Sequence, residues 1–406
     1  MRQLPPCFLI VGGSLTGNKG AASMTLGLAE GLRRRVQAEV VVLTSLPSAD
    51  RGQAARHGLR IVPYTPAAII LSLPSAVVYR FVSRRLPATA AVRAFATAAA
   101  VADVSGISFS DGRGAVTLAY NVLLPLPALI LGTPIVKVSQ AMGPFQRIVN
   151  RFAALLVLPR LNAILARGRQ TQRHLDDVGV RNEGCAADAA FLLKPSIDRT
   201  KPPGERPPSA RGLIAFAPSQ VLANRLAKES LDYFRICVEL VNHLTRSHDV
   251  VLLAHSARPG KPSSRINDLP LCERVLAAVR APHCCTIADA EGDPHFYRTL
   301  LSECRLVITS RFHVMISALS VCRTPVVLGW GHKYGEVLSA FAIPEAEYDL
   351  SVTGIDTMLN GIDALLLGTS AIEDRIRRHL PDVVSSAERN VDAVLSCARG
   401  VTDAIR

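Results

Sequence analysis

Residues 8–43 read FLIVGGSLTGNKGAASMTLGLAEGLRRRVQAEVVVL, and this stretch decides the fold. The apolar run Phe8 to Val11 predicts a buried strand that ends in Gly12-Gly13-Ser14. A helical pattern begins near Gly20 and continues to Arg35, and Glu39 to Leu43 predicts the next buried strand. The order of strand, glycine turn, helix and strand predicts the start of a doubly wound parallel sheet.

The same alternation continues to about residue 193, which gives a first Rossmann-like domain over residues 1–193. Further buried strands are predicted at Arg60 to Val62, Val101 to Ser105, Pro134 to Val138 and Ala163 to Ala166. Residues 194–211 are rich in proline with Lys, Arg, Ser and Gly, a composition that cannot build a core. We therefore predict a linker there.

A second Rossmann-like domain is predicted over residues 212–370, because the alternation of strands and helices restarts after the linker. The predicted strands are Leu213 to Ala217, Val250 to Ala254, Cys284 to Ile287, Leu306 to Thr309 and Pro325 to Leu328. The predicted helices are Leu231 to Thr245, Leu271 to Val279, Pro294 to Cys304 and His313 to Leu319. Residues 371–406 are predicted to form C-terminal helices, between Ile372 and Leu395, that pack back on the first domain.

The composition narrows the class of protein. A chain of 406 residues with 49% hydrophobic residues can fill two cores. Its net charge of +13 favours an anionic partner, which can be nucleic acid, an anionic membrane, or a substrate that carries phosphate or carboxylate. Aromatic residues make up only 5%, and no stretch alternates them with basic residues, so we expect no nucleic-acid binding.

Cysteine usage and the N-terminus predict a cytoplasmic protein. The nine cysteines include no CxxC pair and have mostly apolar neighbours, which argues against a zinc ribbon or a disulfide framework. The apolar run after Pro6 is too short for a signal peptide. Two apolar stretches, residues 67–79 and 115–136, contain prolines and are predicted to be buried rather than to span a membrane. Docking at a membrane surface stays open, because arginines flank the first stretch.

Three loops that follow predicted strands are candidate ligand sites, since ligands of parallel sheets gather at the carboxyl edge. The loop Gly12 to Gly20 offers backbone amides at a helix start, but its spacing fits neither GxGxxG nor a Walker motif, so a tight turn is an equal alternative. In Ser139 to Phe145, Gln140 can bond a hydroxyl or belong to a structural turn. Arg167 follows the next strand.

The most specific segment is Thr309-Ser310-Arg311-Phe312-His313, at a junction of strand and helix. It combines free amides, a guanidinium and an imidazole, which suits an anion and a proton donor. A histidine at a helix start is often a cap or a surface residue. The neighbouring strand, however, ends in Gly329-Trp330-Gly331-His332-Lys333, which offers a second cation from an adjacent edge.

With these residues, the chain resembles the polysaccharide pyruvyl transferase family over most of its length. The matching segments are Gly17-Asn18-Lys19-Gly20, Gln140 to Phe145 as Gln-x-x-Gly-Pro, Arg167 with Thr171 and Leu175, Asp188-Ala-Ala-Phe191, and Ser310-Arg311-Phe312-His313 with Ala318-Leu319, Thr324-Pro325 and Lys333. The family's usual acidic residues are replaced by Ala21 and Gly168, so no role of those carboxylates carries over.

The resemblance implies a GT-B-like fold, in which two Rossmann-like domains face each other across a cleft, with the acceptor on the first and the donor on the second. It implies phosphoenolpyruvate as co-substrate, no cofactor or metal, and a sugar acceptor, free or lipid-linked, that receives a cyclic pyruvate ketal. His313 and Arg311 are then the candidate catalytic residues, with His313 as the general acid and Arg311 as a cation that binds the donor. The implied substrate-binding residues are Lys333, Arg167, Ser310, Gln140, Asn18 and Gly17.

Two alternatives remain open at this point. A GT-B glycosyltransferase that uses a nucleotide sugar would also need a cationic site. Such enzymes commonly place a carboxylate on the ribose, and no convincing one lies beside the Arg311 to Lys333 segment, where Glu336 is the nearest. A non-catalytic protein of envelope assembly at the membrane surface would explain the basic charge and the apolar stretches. Peripheral contact with the inner face of an anionic membrane is compatible with each of these functions.

Overall fold

The computed structural model of the chain describes residues 5–194, 211–257, 264–288, 291, 293–329 and 332–399. They form two compact units. The first unit contains residues 5–16, 21–193 and 384–399, and the second contains residues 17–20 with the described part of 194–383. Of the predicted linker, only the two end residues belong to the described part, and Trp330 and Gly331 also lie outside it.

The first unit is built on a seven-stranded parallel sheet with the order β3-β2-β1-β4-β6-β5, and β7 also pairs with β6. Its strands are β1 (Cys7–Val11), β2 (Glu39–Thr44), β3 (Arg60–Pro63), β4 (Ala100–Asp103), β5 (Ile107–Ser110), β6 (Ile135–Gly143) and β7 (Ala163–Ala166). The central strands are apolar and buried on both faces, as expected of a parallel sheet covered by helices.

The α-helices of this part of the chain connect those strands. They are α1 (Lys19–Arg35), α2 (Pro47–Arg56), α3 (Pro66–Val77), α4 (Ala90–Thr97), α5 (Ala115–Leu123), α6 (Leu126–Leu131), α7 (Ile148–Val157) and α8 (Arg169–Asp177). Residues 115–136 form α5, α6 and the start of β6. The prediction that residues 67–79 are buried is wrong for one side of α3, where Ile70 and Leu71 are exposed.

The second unit has a six-stranded parallel sheet with the order β10-β9-β8-β11-β12-β13. Its strands are β8 (Leu213–Ala217), β9 (Asp249–Leu252), β10 (Cys285–Ile287), β11 (Leu306–Thr309), β12 (Pro325–Gly329) and β13 (Glu347–Asp349). β11 lies between β8 and β12, so the loops that follow these three strands open at the same edge.

The helices of the second part of the chain alternate with its strands. They are α9 (Gln220–Leu226), α10 (Tyr233–Leu244), α11 (Leu269–Ala278), α12 (Pro294–Ser302), α13 (Phe312–Ser320), α14 (His332–Ala340), α15 (Ile355–Leu367) and α16 (Thr369–Cys397). Two strands absent from the prediction, β5 and β13, are short edge elements. The two-domain α/β fold class is confirmed by the two parallel sheets.

The C-terminal segment is one continuous helix rather than several. α16 contains Pro381 in its interior, and its residues from Val384 onward group with the first unit. Asn390 Oδ1 accepts a hydrogen bond from the Ser139 backbone N–H at 2.7 Å, and Ser386 Oγ accepts one from the Ala187 N–H at 3.1 Å. The end of the helix therefore satisfies backbone donors of the first unit.

Candidate active site at the carboxyl edge of the second sheet

The site begins where β11 ends. The Ser310 N–H donates to the carbonyl of Ala217 on β8 at 3.0 Å, which continues the sheet pairing for one more residue. The Arg311 N–H then donates to Thr309 Oγ1 at 2.8 Å, and α13 starts at Phe312. This turn places the side chains of Arg311 and His313 at the edge where the loops after β8 and β9 also emerge.

A buried carboxylate orients Arg311. Asp268 is fully buried, and its Oδ1 accepts a hydrogen bond from Arg311 Nη2 and another from the Gln220 N–H at 2.9 Å. Its Oδ2 accepts from the Ser256 N–H at 2.9 Å. Burial raises the pKa of Asp268 above its ordinary value, although Arg311 and both amide donors oppose that rise. The guanidinium is therefore held on one side and leaves its remaining edge for a ligand.

One donor of that guanidinium supports this interpretation. Arg311 Nε is buried and has no hydrogen-bond partner among the described residues. A buried charged donor left without an acceptor is costly, so the arrangement favours an anion at this position.

The turn Gly17 to Gly20 belongs to the same site. The Ala257 N–H donates to the carbonyl of Gly17 at 2.9 Å, and the Lys19 N–H donates to the carbonyl of His255 at 3.2 Å. Asn18 forms an isolated antiparallel bridge with Ser256, and its Oδ1 accepts from the Gly20 N–H at 3.0 Å. The turn is thus attached to the segment that follows β9, although it lies near the start of the chain.

Gly20 packs directly against His313. A Cβ placed on Gly20 would lie 2.3 Å from His313 Nδ1, far inside van der Waals contact. The backbone of Gly20 is not in the left-handed conformation. A glycine is therefore needed here because there is no room for a Cβ, and not because of its backbone freedom. The first turn of α1 therefore fixes the position of the imidazole.

Gly20→Ala is expected to displace the imidazole of His313, because the added Cβ would overlap its ring. For a reacting group, a displacement of about 1 Å costs about a hundredfold in kcat. Gly52→Ala is the matched control, since Gly52 lies in helix α2, where an added Cβ would meet no other atom within 4 Å. Steady-state turnover measures both variants. Equal activity of Gly20→Ala and Gly52→Ala would remove this contact from the site.

His255 is a second histidine of the site, and it was not among the site residues expected from the sequence. Its side chain is buried and contacts the ring of Tyr297 edge-on, with 6.1 Å between ring centroids. Burial, followed by the electrostatic effect of His313, Arg311 and Lys19 nearby, holds the pKa of His255 well below its usual range. His255 is therefore neutral at physiological pH, and four cationic or imidazole groups share one small region.

This shift makes stability depend on pH. Because the pKa of His255 is lower in the folded than in the unfolded chain, the unfolded state takes up the proton first. The contribution of His255 to the free energy of unfolding should be fully present above about pH 6.5 and fall by about 1.4 kcal/mol per pH unit below it. His255→Gln should reduce that slope in urea unfolding, whereas His283→Gln, at an exposed position, should keep it. Identical slopes in all three proteins would contradict the assignment.

Lys333 lies beside the same segment. Its Nζ is 5.4 Å from the ring centroid of Phe312 and 5.1 Å from that of Tyr334. Tyr334 donates a hydrogen bond to the carbonyl of Ser310 at 3.1 Å. Ser310 Oγ is 2.8 Å from the hydroxyl of Tyr233. The structure therefore brings Lys333 and Ser310 together with Arg311 and His313, as the neighbouring strand ends predicted.

Gln140 is placed differently from its predicted role. It lies in the first unit, is fully buried, and its Nε2 donates to the carbonyl of Asp103 at 2.7 Å. Its Oε1 accepts from Ser108 Oγ at 2.7 Å and from Lys137 Nζ at 3.3 Å. Both ends of the amide are used inside the protein, so the placement favours the structural alternative over contact with a substrate hydroxyl.

Arg167 also lies in the first unit. Its Nη1 donates to Asp188 Oδ2 at 2.8 Å, and both side chains are buried. Asp188 Oδ1 accepts from the Ala190 N–H at 2.9 Å. Arg167 is thus held by the Asp-x-x-Phe segment, and a role in substrate binding stays a prediction.

The part of the chain that the structure describes has neither a cluster of metal-ligand side chains nor a helix that could cross a membrane. Within residues 5–194, 211–257, 264–288, 291, 293–329 and 332–399, no three His, Cys, Asp or Glu side chains are grouped as a metal site requires. In the same part of the chain, no helix combines the length and apolar character that crossing a membrane would need.

Comparison with known proteins gives a family and a fold. The family model described as polysaccharide pyruvyl transferase matches residues 18–332. No curated protein matches the sequence. Among solved structures, the chain is similar to a putative UDP-N-acetylglucosamine 2-epimerase from Listeria monocytogenes, with a TM-score of 0.61, 13% identity and 95% of each chain covered.

Two further solved structures are similar over their full length. The Anabaena protein HepE in complex with UDP gives a TM-score of 0.58 at 13% identity, with 97% of this chain and 100% of that chain covered. A glycosyltransferase from Rickettsia africae gives 0.59 at 9% identity, with 98% and 99% covered. At these identities the similarities show the fold alone, and they confirm the GT-B-like fold class.

Proposed function

Because the chain belongs to the polysaccharide pyruvyl transferase family, we propose that it transfers the enolpyruvyl group of phosphoenolpyruvate to two hydroxyls of one sugar, forming a cyclic pyruvate ketal. The observation that carries the proposal is the set of Arg311, His313 and Lys333 at one edge of the second sheet, with Lys19 and His255 nearby. Several cations around a candidate proton donor suit a small substrate that carries both phosphate and carboxylate.

In this proposal the cations bind the donor. Arg311, oriented by Asp268, presents its remaining N–H groups to one anionic group of phosphoenolpyruvate, and Lys333 neutralises the other. Phe312 and Tyr334 limit the positions that the Lys333 ammonium can occupy, since it lies against both rings. The amides at the start of α13 add partial positive charge at the same edge.

His313 supplies the proton of the first step. The imidazolium protonates the methylene carbon of the enol while a sugar hydroxyl oxygen bonds to the adjacent carbon, and the hydroxyl proton leaves to a base. Inorganic phosphate then departs with the electron pair of its C–O bond. The second hydroxyl bonds to the same carbon and loses its proton, so phosphoenolpyruvate and a diol become a ketal and phosphate.

The proposed function is tested with purified protein, phosphoenolpyruvate and a panel of sugar acceptors, free and lipid-linked. We expect phosphate release together with a ketal methyl signal in the NMR spectrum of the acceptor. A parallel panel replaces phosphoenolpyruvate by UDP-sugars, because the similar structures include a UDP complex and a glycosyltransferase. Consumption of a UDP-sugar with no ketal from any acceptor would replace the proposal by glycosyl transfer, and binding to membranes without either reaction would favour the non-catalytic alternative.

A further inference from the structure

Helices α3 and α7 of the first unit each carry an apolar stripe on the side that faces solvent. On α7, the buried positions include Ala153 and Val157, and these pack into the core. The opposite side is apolar as well, and its Ile148 and Phe152 are 84% and 69% exposed. A surface helix ordinarily presents polar side chains there, so the second apolar stripe is not explained by folding of the unit.

The same pattern extends from α3 into the π-helical turn Val78–Val82 that follows it. Ile69 and Ala76 point into the core, whereas Ile70, Leu71 and Phe81 are exposed, with Phe81 at 71%. Helix α5 contacts both α3 and α7. The three helices are therefore neighbours, and we call their solvent-exposed side the α3/α5/α7 face. Its exposed apolar residues are Ile70, Leu71, Val77, Val78, Phe81, Val82, Val116, Ile148, Val149, Phe152, Leu155 and Leu156.

Every charged side chain that is exposed beside these stripes is positive. Arg80, Arg84 and Arg85 accompany Phe81, and Arg147 and Arg151 accompany Phe152, all of them exposed. Residues 51–102 contain no Asp or Glu, and neither do residues 112–175. The face is therefore apolar, and its fully exposed charged side chains are cationic.

Of the two acidic residues between those ranges, Asp103 is neutralised by a lysine, and Asp111 leaves a single negative charge at the start of α7. Asp103 is buried in an ion pair with Lys137, with 2.5 Å between Oδ2 and Nζ. Asp111 accepts hydrogen bonds from the Gln146 N–H and from Asn150 Nδ2, both at 2.8 Å, at the start of α7. One remaining carboxylate beside five exposed arginines leaves the face strongly cationic.

We propose that the α3/α5/α7 face docks this protein on a bilayer surface that contains anionic lipids. The exposed Phe, Ile, Leu and Val side chains would enter the boundary between headgroups and acyl chains, while the guanidinium groups bind lipid phosphates. A second copy of the chain is a poorer occupant, because a symmetric contact would bring the arginines of one face against those of the other. The proposal is independent of the reaction at Arg311 and His313.

The test is flotation of the full chain with vesicles of phosphatidylcholine, with and without phosphatidylglycerol, at low and high salt. We expect binding only to the anionic vesicles, and binding that salt weakens. The variant with both Phe81→Glu and Phe152→Glu should bind at least about tenfold more weakly, because two apolar anchors are lost and two like charges face the lipid. Leu367→Glu is the matched control, since Leu367 is 91% exposed in the second unit, and it should bind like the wild type.

A second variant separates charge from apolar insertion. Arg147→Gln with Arg151→Gln leaves the apolar stripe intact, and each lost arginine should weaken binding to anionic vesicles roughly fivefold. Thermal unfolding of each variant checks that it is folded. The proposal is overturned if the wild type ignores anionic vesicles, or if the Phe81/Phe152 variant binds them as the wild type does. A dimer in solution that this variant dissolves would assign the face to a second copy instead.

Discussion

Replacing His313 with alanine is expected to lower kcat by about 10²- to 10⁴-fold, the usual contribution of a positioned general acid. Binding of phosphoenolpyruvate should change much less, because Arg311 and Lys333 carry the donor anions in the proposed site. Single-turnover formation of the ketal measures the chemical step, and calorimetric titration with phosphoenolpyruvate measures donor binding. The split between the two is the signature of a group that acts in the transition state.

A control variant and two alternative outcomes define the role of His313. His283→Ala removes an exposed histidine of the same unit and should leave both quantities unchanged. If His313→Ala turned over at the wild-type rate, the proton would have to come from elsewhere, and His255 and Lys19 would be the next groups to test. A loss of donor affinity as large as the loss of turnover would assign His313 to binding rather than to proton transfer.

The second large effect is expected for Arg311→Ala, which should weaken binding of phosphoenolpyruvate roughly 10- to 100-fold through loss of charge-assisted hydrogen bonds. The variant should also lose about 3–5 kcal/mol of unfolding free energy, because the fully buried Asp268 would lose its cationic partner. Its pKa, already raised by burial, would rise further. Calorimetry and urea unfolding measure the two effects separately.

Arg311→Lys is the matched variant. The lysine keeps a positive charge beside Asp268, so this variant should retain more stability than Arg311→Ala. A lysine has no planar guanidinium, however, and so cannot bond Asp268 and a ligand at the same time as arginine can. We therefore expect stability to recover more than donor affinity does. Unchanged donor affinity in both variants would mean that Arg311 serves only to neutralise Asp268.

The sequence was enough to predict the strand ends that carry the site. Arg311 and Lys333 follow strands that alternate with helices in the order of a parallel sheet, and such strand ends lie at one edge whatever the details of packing. The resemblance then grouped Asn18 and Gly17 with them. The periodicity of residues 8–43 predicted β1, α1 and β2 with shifts of a residue or two at their ends.

The partners of these residues could not be predicted, because they are distant in sequence. Nothing near Asp268 indicates that it pairs with Arg311, and nothing in Gly17 to Gly20 indicates contact with residues 255–257. His255 does follow a predicted strand and could have been selected by the rule that selected Arg167. The burial of Gln140 could not be predicted for the same reason. Its sequence segment indicates the edge of a sheet, but its burial depends on side chains that come together only in the folded unit.

The course of α16 matters for anyone who wishes to produce the first unit separately. A fragment that stops before the proline-rich segment would lack Asn390 and Ser386, and so would leave the amides of Ser139 and Ala187 without their acceptors. It would also carry residues 17–20 without the segment after β9 to which they are attached. The first unit is therefore built from both ends of the chain, and residues 1–193 alone would lack part of it.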